Sequence, residues 1–335
     1  MTLRVGLVGF FGWGNYGDEL MRSIWEKQLP FDTRVVHDLL DKPYFSKQAR
    51  EMIADYDAIL IGGGDLIIPR QVSPLYWNTA LVNRPCLVSG IGAGLEDSIV
   101  RTHVDAHVIN FLNHPRVDRV SVRDDGTASW IKDHGGPENV LITPDLGFAY
   151  PLDTHPLIPR DANCGCGSVG IVVRKKLSSD MAPAVDRVLR WAKDRGSSVE
   201  FLVAATGREA FDEAATVQKQ WPDLPVRTES SIQGVTDALS DYSVVASGKF
   251  HVSLMCLRMG IANLTLRGTH KIEQLAQQVQ DSGLSTVIQP QHSDDAIEDL
   301  AYRPVPKDRV THLERGAVAE IAAVHDCLTE IASQC

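Results

Sequence analysis

The chain has 335 residues and a formal charge of −10, with 44% apolar and 23% charged residues. Its length suits two hydrophobic cores of about 150 residues each, and its composition excludes a disordered chain. The acidic balance excludes a surface built as a whole for nucleic acid, and no run approaches the about 18 apolar residues that a membrane span needs.

The N-terminal "MTLRVGLVGFFGWGNYGDEL" lacks a charged leader, an apolar core and a cleavage site, so it reads as a first strand. The expectation is a soluble cytoplasmic protein. Six cysteines are too few for a disulfide framework, and only Cys164 and Cys166 lie close together. Without two further ligands this C-x-C predicts no zinc site, and no metal is expected.

Strand-like runs alternate with helical patterns through the first half: "LRVGLVGF" (3–10), "AILIGGG" (58–64), "PCLVSGIG" (85–92), "RVSVRD" (119–124) and "NVLITPD" (139–145). Continuous apolarity ending in Gly or Asp predicts buried parallel strands covered on both faces. Between the first two, Leu20, Met21, Ile24, Trp25 and Leu29 form one stripe of an amphipathic helix, with Asp18 and Glu19 in its first turn.

Pro and Gly crowd "YPLDTHPLIPRDANCGCGS" (150–168), which marks a linker. A second alternating series follows: "SVGIVVRKK" (168–176), "VEFLVAATG" (199–207), "SVVASG" (243–248) and "IANLTLRG" (261–268). The pattern predicts an α/β protein of two doubly wound Rossmann-like domains facing across a cleft. Their expected bounds are 1–155 and 169–305, with 156–168 as linker and a C-terminal helix at 306–335 that closes back on the first domain.

Five stretches could carry chemistry. Gly9, Gly12, Gly14 and Gly17 precede the first helix, where backbone N–H groups can approach a ligand. The spacing only nominally matches a dinucleotide loop, and Asp18 and Glu19 either cap the helix or act on a substrate hydroxyl. "IGGGDLI" (61–67) reads as a strand end presenting Asp65, either to a ligand or as a cap. "SVRDDGT" (121–127) offers Arg123 for bidentate oxyanion recognition or for a salt bridge within the turn, with Asp124 or Asp125 as an N-cap.

Arg174 ends the first strand of the second domain ahead of the surface residues Lys175 and Lys176. From Tyr242 through Ile272 there is no carboxylate, while Lys249, Arg258, Arg267 and Lys271 are cationic. The run after His251 is almost wholly apolar and predicts a buried helix. A cation at its N-terminus opposes the helix dipole unless an anion binds there. The alternative is a capping histidine beside a solvent-facing lysine.

The order of "GNYGDE", "GGGD", "SVRD", "PDLGF", "GIVVRK", "GKFHVSLMCLRMG" and "THK" resembles the polysaccharide pyruvyl transferase family over residues 6–275. The resemblance implies a GT-B-like fold and transfer of a pyruvyl group from phosphoenolpyruvate, as co-substrate and without a cofactor, to a sugar as a ketal. It implies His251, Asp18 and Glu19 as catalytic residues. Lys249, Arg123, Arg174, Lys271 and Gly248 would bind the donor, and Asn15, Gly17, Gly64 and Asp65 the acceptor.

Two positions depart from the family pattern. Lys249 stands where arginine is usual, replacing a planar fork by a point charge, and Val252 stands where Gly or Ala is common. The implied partners are phosphoenolpyruvate and a sugar or glycan acceptor, free or lipid-linked, with no nucleic acid, with homo-oligomers allowed, and with a place in the cytoplasm that extends to the inner membrane face. Three other readings stay open: a nucleotide-sugar glycosyltransferase, a non-catalytic sugar binder, and an oxidoreductase using Asp38 as ribose ligand.

Overall fold

The computed structural model describes residues 2–95, 102–152 and 167–334. Most of the expected linker, with Cys164 and Cys166, lies outside the described residues. The chain forms two compact units: Met1–Gly12 with Asp18–Pro151 and Leu313–Cys335, and Trp13–Gly17 with Leu152–His312. The glycine loop is therefore divided, its second half grouping with the second unit rather than with the expected domain 1–155. The second unit also runs beyond residue 305.

In chain order the first unit holds β1 (Arg4–Val8), α1 (Tyr16–Gln28, whose first two residues group with the second unit), β2 (Asp32–Val35), α2 (Ala49–Ile53), β3 (Ala58–Ile67), β4 (Cys86–Ala93), α3 (Thr102–Leu112), β5 (Val117–Val122), α4 (Asp125–Asp133) and β6 (Leu141–Ile142). All its strand pairs are parallel, in the order β2-β1-β3-β4-β5-β6. Strand order reverses between β1 and β3, so the carboxyl ends of these two strands form the topological switch point where ligands of such sheets collect.

The second unit holds β7 (Ser168–Val172), α5 (Met181–Asp194), β8 (Ser198–Val203), α6 (Gly207–Gln220), β9 (Val226–Thr228), α7 (Ile232–Leu239), β10 (Val244–Ser247), α8 (Phe250–Met259), β11 (Ala262–Thr265), α9 (His270–Val279), α10 (Ser282–Ser285) and α11 (Asp294–Ala301). Its sheet is also parallel, ordered β11-β10-β7-β8-β9, which puts the switch point between β7 and β10. Ile171, Trp191, Phe201, Val244 and Leu264 are buried together in its core. The last helix, α12, spans Lys307–Gln334.

Three details differ from the sequence reading. β2 and β9 are edge strands with few buried residues, so they lack the apolar signature used to find the others. β6 is two residues long rather than the whole of 139–145, and both residues are exposed at the sheet edge. The glycine runs do not end their strands: β3 continues through Gly62, Gly63 and Gly64 to Ile67, and β4 through Gly90 and Gly92 to Ala93.

Packing explains the glycines in β3. Gly63 and Gly64 have φ of 83° and 86°, which side chains rarely adopt. A Cβ on Gly63 would lie 2.5 Å from Met21 Cβ, and one on Gly62 would lie 3.1 Å from Trp25 Nε1. The missing side chains thus let the apolar stripe of α1 settle directly on the sheet.

Within the first unit, α12 is anchored by a buried charge. Glu320 is 2% exposed and accepts hydrogen bonds from Ser89 Oγ at 2.7 Å, from Ser121 Oγ at 2.6 Å, and from the Arg119 guanidinium. Removing one partner of such a pair leaves the other polar groups uncompensated. We predict that Glu320→Ala lowers stability by about 3 kcal/mol, read as a fall in the urea midpoint, whereas Glu320→Gln, which keeps an acceptor oxygen, loses less.

Candidate functional site

At the switch point of the second unit, β7 leads to Arg174 and β10 to Gly248, Lys249 and α8. Gly248 N donates to the Val172 carbonyl at 2.9 Å, tying the two strand ends together. Ser247 Oγ accepts from Lys249 N at 2.9 Å and shapes the turn into α8. Val252 through Leu257 are all buried, so the helix is fixed by packing on nearly every face. Its first turn carries no acidic residue, and its N-terminal N–H groups suit an anion.

His251 sits in that first turn. Its ring meets Phe250 edge-on with centroids 4.8 Å apart, and it packs on the backbone of Gly17, where a Cβ would overlap Nδ1. Gly17 N donates to Asn15 Oδ1 at 3.1 Å, an N-cap for α1. Thr206 N donates to the Gly14 carbonyl at 2.8 Å, Asn15 bridges Ala205, and Tyr16 Oη is 2.8 Å from Thr236 Oγ1 in a buried contact. Gly14, with φ of 89°, leaves no room for a Cβ beside the Thr206 carbonyl. These two glycines give close approach to protein, whereas the sequence reading assigned that approach to a ligand.

Lys249 does not face solvent. Its Nζ lies 2.5 Å from Glu213 Oε1 and donates to the Ala204 carbonyl at 2.8 Å. Burial pushes the Lys249 ammonium below its ordinary range and the Glu213 carboxyl above its own, although each favours the other's charge. The expectation that Lys249 grips donor oxygens is revised accordingly: its charge already has a partner. Arg174 is exposed, and its positive charge acts on both members of the pair. Lys271 is half-buried in the first turn of α9, behind a Thr269 cap.

In the first unit, Gly12 N donates to Glu19 Oε1 at 2.5 Å, and Glu19 also lies 3.9 Å from Arg22. Asp18 stands beside Gly64, where a Cβ would be 2.9 Å from its Oδ1. Burial pushes the Tyr76 phenol up, and the Asp18 charge adds to that shift. Asp65 pairs with the Arg123 guanidinium. Arg123 is 4% exposed and is also 3.1 Å from Asp145 Oδ2 and 3.8 Å from Asp124.

Asp124 caps α4 by accepting from Thr127 N at 2.7 Å, and Asp145 Oδ1 accepts from Gly147 N at 2.8 Å. Gly92 makes the space: a Cβ there would lie 2.7 Å from both Arg123 Nε and Asp65 Oδ1. Arg123, expected to hold the donor, is thus enclosed by carboxylates of its own unit and orients Asp65. Asp38, the ribose ligand of the oxidoreductase reading, accepts from Ser46 N at 2.8 Å and from Ser46 Oγ.

The structure therefore gathers Asn15, Gly17, Gly248, Lys249 and His251 in the second unit, with Arg174 at the end of β7. It gathers Asp18, Gly64, Asp65 and Arg123 in the first, with Glu19 bracing the loop. Sequence reasoning missed Asp145 and Glu213 as site residues. Asp145 lay in a quoted motif, "PDLGF". Glu213 had a signal of its own, a carboxylate on the apolar stripe of α6 between the buried Ala210 and Val217.

Among the described residues, no group of three or more His, Cys, Asp or Glu could hold a metal ion, and no helix is long and apolar enough to cross a membrane. The model of one family, polysaccharide pyruvyl transferase, matches residues 15–268. No curated protein matches.

Among solved structures, the UDP-N-acetylglucosamine 2-epimerase of Rickettsia bellii is similar at 10% identity and TM-score 0.53, covering 98% of each chain. Sucrose-phosphate synthase of Thermosynechococcus elongatus is similar at 11% identity and TM-score 0.53, covering 99% of this chain and 100% of its own. MnaA of S. aureus, in a UDP co-structure, is similar at 12% identity and TM-score 0.55, covering 95% and 91%. Likeness at this identity shows the fold, the GT-B-like pairing of two Rossmann-like units.

The Arg123 cluster makes a stability prediction. Arg123→Met strands the buried Asp145 carboxylate beside Asp65 and Asp124 and should lower stability by about 3–5 kcal/mol. Denaturant unfolding of both proteins measures the deficit.

Proposed function

The chain belongs to the polysaccharide pyruvyl transferase family, and from that premise we propose that it moves the pyruvyl group of phosphoenolpyruvate onto two hydroxyls of a sugar as a cyclic ketal. The observation that carries this reading is His251: a proton-transfer group held at the N-terminus of α8, at a switch point, with no carboxylate in that helical turn. Such a position combines anion binding by helix N–H groups with a movable proton.

In the proposed sequence, a proton adds to the methylene carbon of phosphoenolpyruvate and turns it into a methyl group. The adjoining carbon becomes electrophilic and bonds to the first sugar hydroxyl. The carbon–oxygen bond to phosphate then breaks, and the second hydroxyl closes the ring. Two hydroxyl protons are released overall; one balances that taken up by the methyl group, and the other leaves on inorganic phosphate.

His251 supplies the proton to carbon or to the departing phosphate. The α8 N-terminus, Arg174 and Lys271 receive the anionic groups of the donor. Asp18 and Asp65 orient or deprotonate the acceptor hydroxyls, Asp65 in the orientation that Arg123 imposes. Glu19, engaged with Gly12 N, positions the loop. The scheme asks for no metal or redox group. We place the reaction in the cytoplasm, on a free or lipid-linked glycan.

Incubation with phosphoenolpyruvate and a set of glycoside acceptors tests the reading. Phosphate should be released only when an acceptor is present, and the acceptor should gain the mass of one pyruvate less one water. Acceptor-independent release, or transfer from a nucleotide sugar instead, would refute it. His251→Gln should reduce turnover by about 10²–10⁴-fold. Gly17→Ala, whose methyl must displace the imidazole, should reduce turnover by about tenfold or more, with a smaller effect on thermal stability.

A further inference from the structure

Glu213 and Lys249 play no reacting part in that scheme, yet they form a buried ion pair two residues from His251. Glu213 is 2% exposed, and its second oxygen, Oε2, is buried without a hydrogen-bond partner. A buried pair with one oxygen unmatched is a poor stabiliser, because desolvation consumes most of the Coulombic gain. Its place in the second unit is more informative than its energy.

Lys249 belongs to the turn that opens α8 and so sets where His251 leaves the backbone. The same ammonium bonds to the Ala204 carbonyl at 2.8 Å. The next two residues, Ala205 and Thr206, hold Asn15 and Gly14, and Gly17 of that loop bounds the ring of His251. One charge therefore connects both surfaces that confine the imidazole: the turn it grows from and the loop it rests on.

We propose that Glu213 and Lys249 are positioning residues for His251, their ion pair fixing the entry turn of α8 against the Ala204–Thr206 segment and so the ring between Phe250 and Gly17. Glu213 holds the ammonium in place, and Lys249 transmits that placement to the two backbone segments. The kinetic consequence rests on the pyruvyl transfer proposed above; the structural consequence does not.

The test compares wild type, Glu213→Gln, Lys249→Met and the double variant Glu213→Leu with Lys249→Met. The double variant replaces the pair by apolar groups and is expected to fold even where a single variant does not. Steady-state kinetics should show kcat reduced by about tenfold or more in every folded variant, with KM for phosphoenolpyruvate changed by less than about threefold, a difference below 1 kcal/mol. A rise in KM at unchanged kcat would make Lys249 a direct donor ligand and overturn the proposal. A fall in melting temperature with unchanged kcat and KM would make the pair merely structural and equally overturn it.

Nitrogen-15 NMR of the His251 ring, assigned with His251→Gln, gives a readout independent of turnover. Its ring signals should differ between wild type and the double variant, and identical signals would overturn the proposal. If wild type does not consume phosphoenolpyruvate with any acceptor, the functional reading fails, and the ring signals alone decide the positioning role.

Discussion

A charge taken out of water must be met by an opposite charge and by hydrogen bonds, or the surrounding fold gives way. Arg123 with Asp65 and Asp145, Lys249 with Glu213, and Glu320 with Arg119 are three places where this constraint organises the protein. Each joins segments far apart in sequence: Asp65 to Asp145 through Arg123, α6 to the entry of α8, and α12 to β4 and β5. The backbone is shaped to allow it, as Gly92 shows by leaving the space that Arg123 and Asp65 fill.

This constraint also sorts the cations that an acidic protein can offer an anionic ligand. A lysine or arginine near a strand end looks available in sequence, but availability depends on whether a carboxylate is packed against it. Arg123 and Lys249 are already compensated inside their own units, while Arg174 is exposed at the end of β7. The N-terminus of α8 is positive for a reason that needs no side chain: its N–H groups lack intrahelical partners. Charge that reaches the surface at this switch point thus comes from the helix backbone and Arg174, while the buried cations are already paired.

Much of the fold was legible because parallel strands buried on both faces announce themselves as apolar runs. β1, β3, β4, β7, β8, β10 and β11 fall where such runs lie. β2 and β9 were silent because edge strands bury little, and the glycines of β3 misled because their role is to admit Met21 and Trp25, a tertiary fact. At the site, residue types were readable and partners were not. Asp124 as the cap of α4 follows from local rules, since its acceptor contact is three residues away. The pairing of Lys249 with Glu213 spans 36 positions, and nothing local foretells which way a lysine at a helix entrance will turn.

Lysine rather than arginine at position 249 becomes intelligible from the same matching of donors to acceptors. The site around Nζ presents one carboxylate oxygen at 2.5 Å and one carbonyl at 2.8 Å. A compact ammonium with three donors meets these two acceptors. A guanidinium would bring five donors in a rigid plane into a space bounded by Ala204 and α6; its fork could meet both Glu213 oxygens, but its remaining N–H groups would exceed the acceptors there, each at a desolvation penalty. With lysine one Glu213 oxygen stays unmatched, while Glu213 and the Ala204 carbonyl hold the ammonium and tie residue 249 to the shape of the His251 turn.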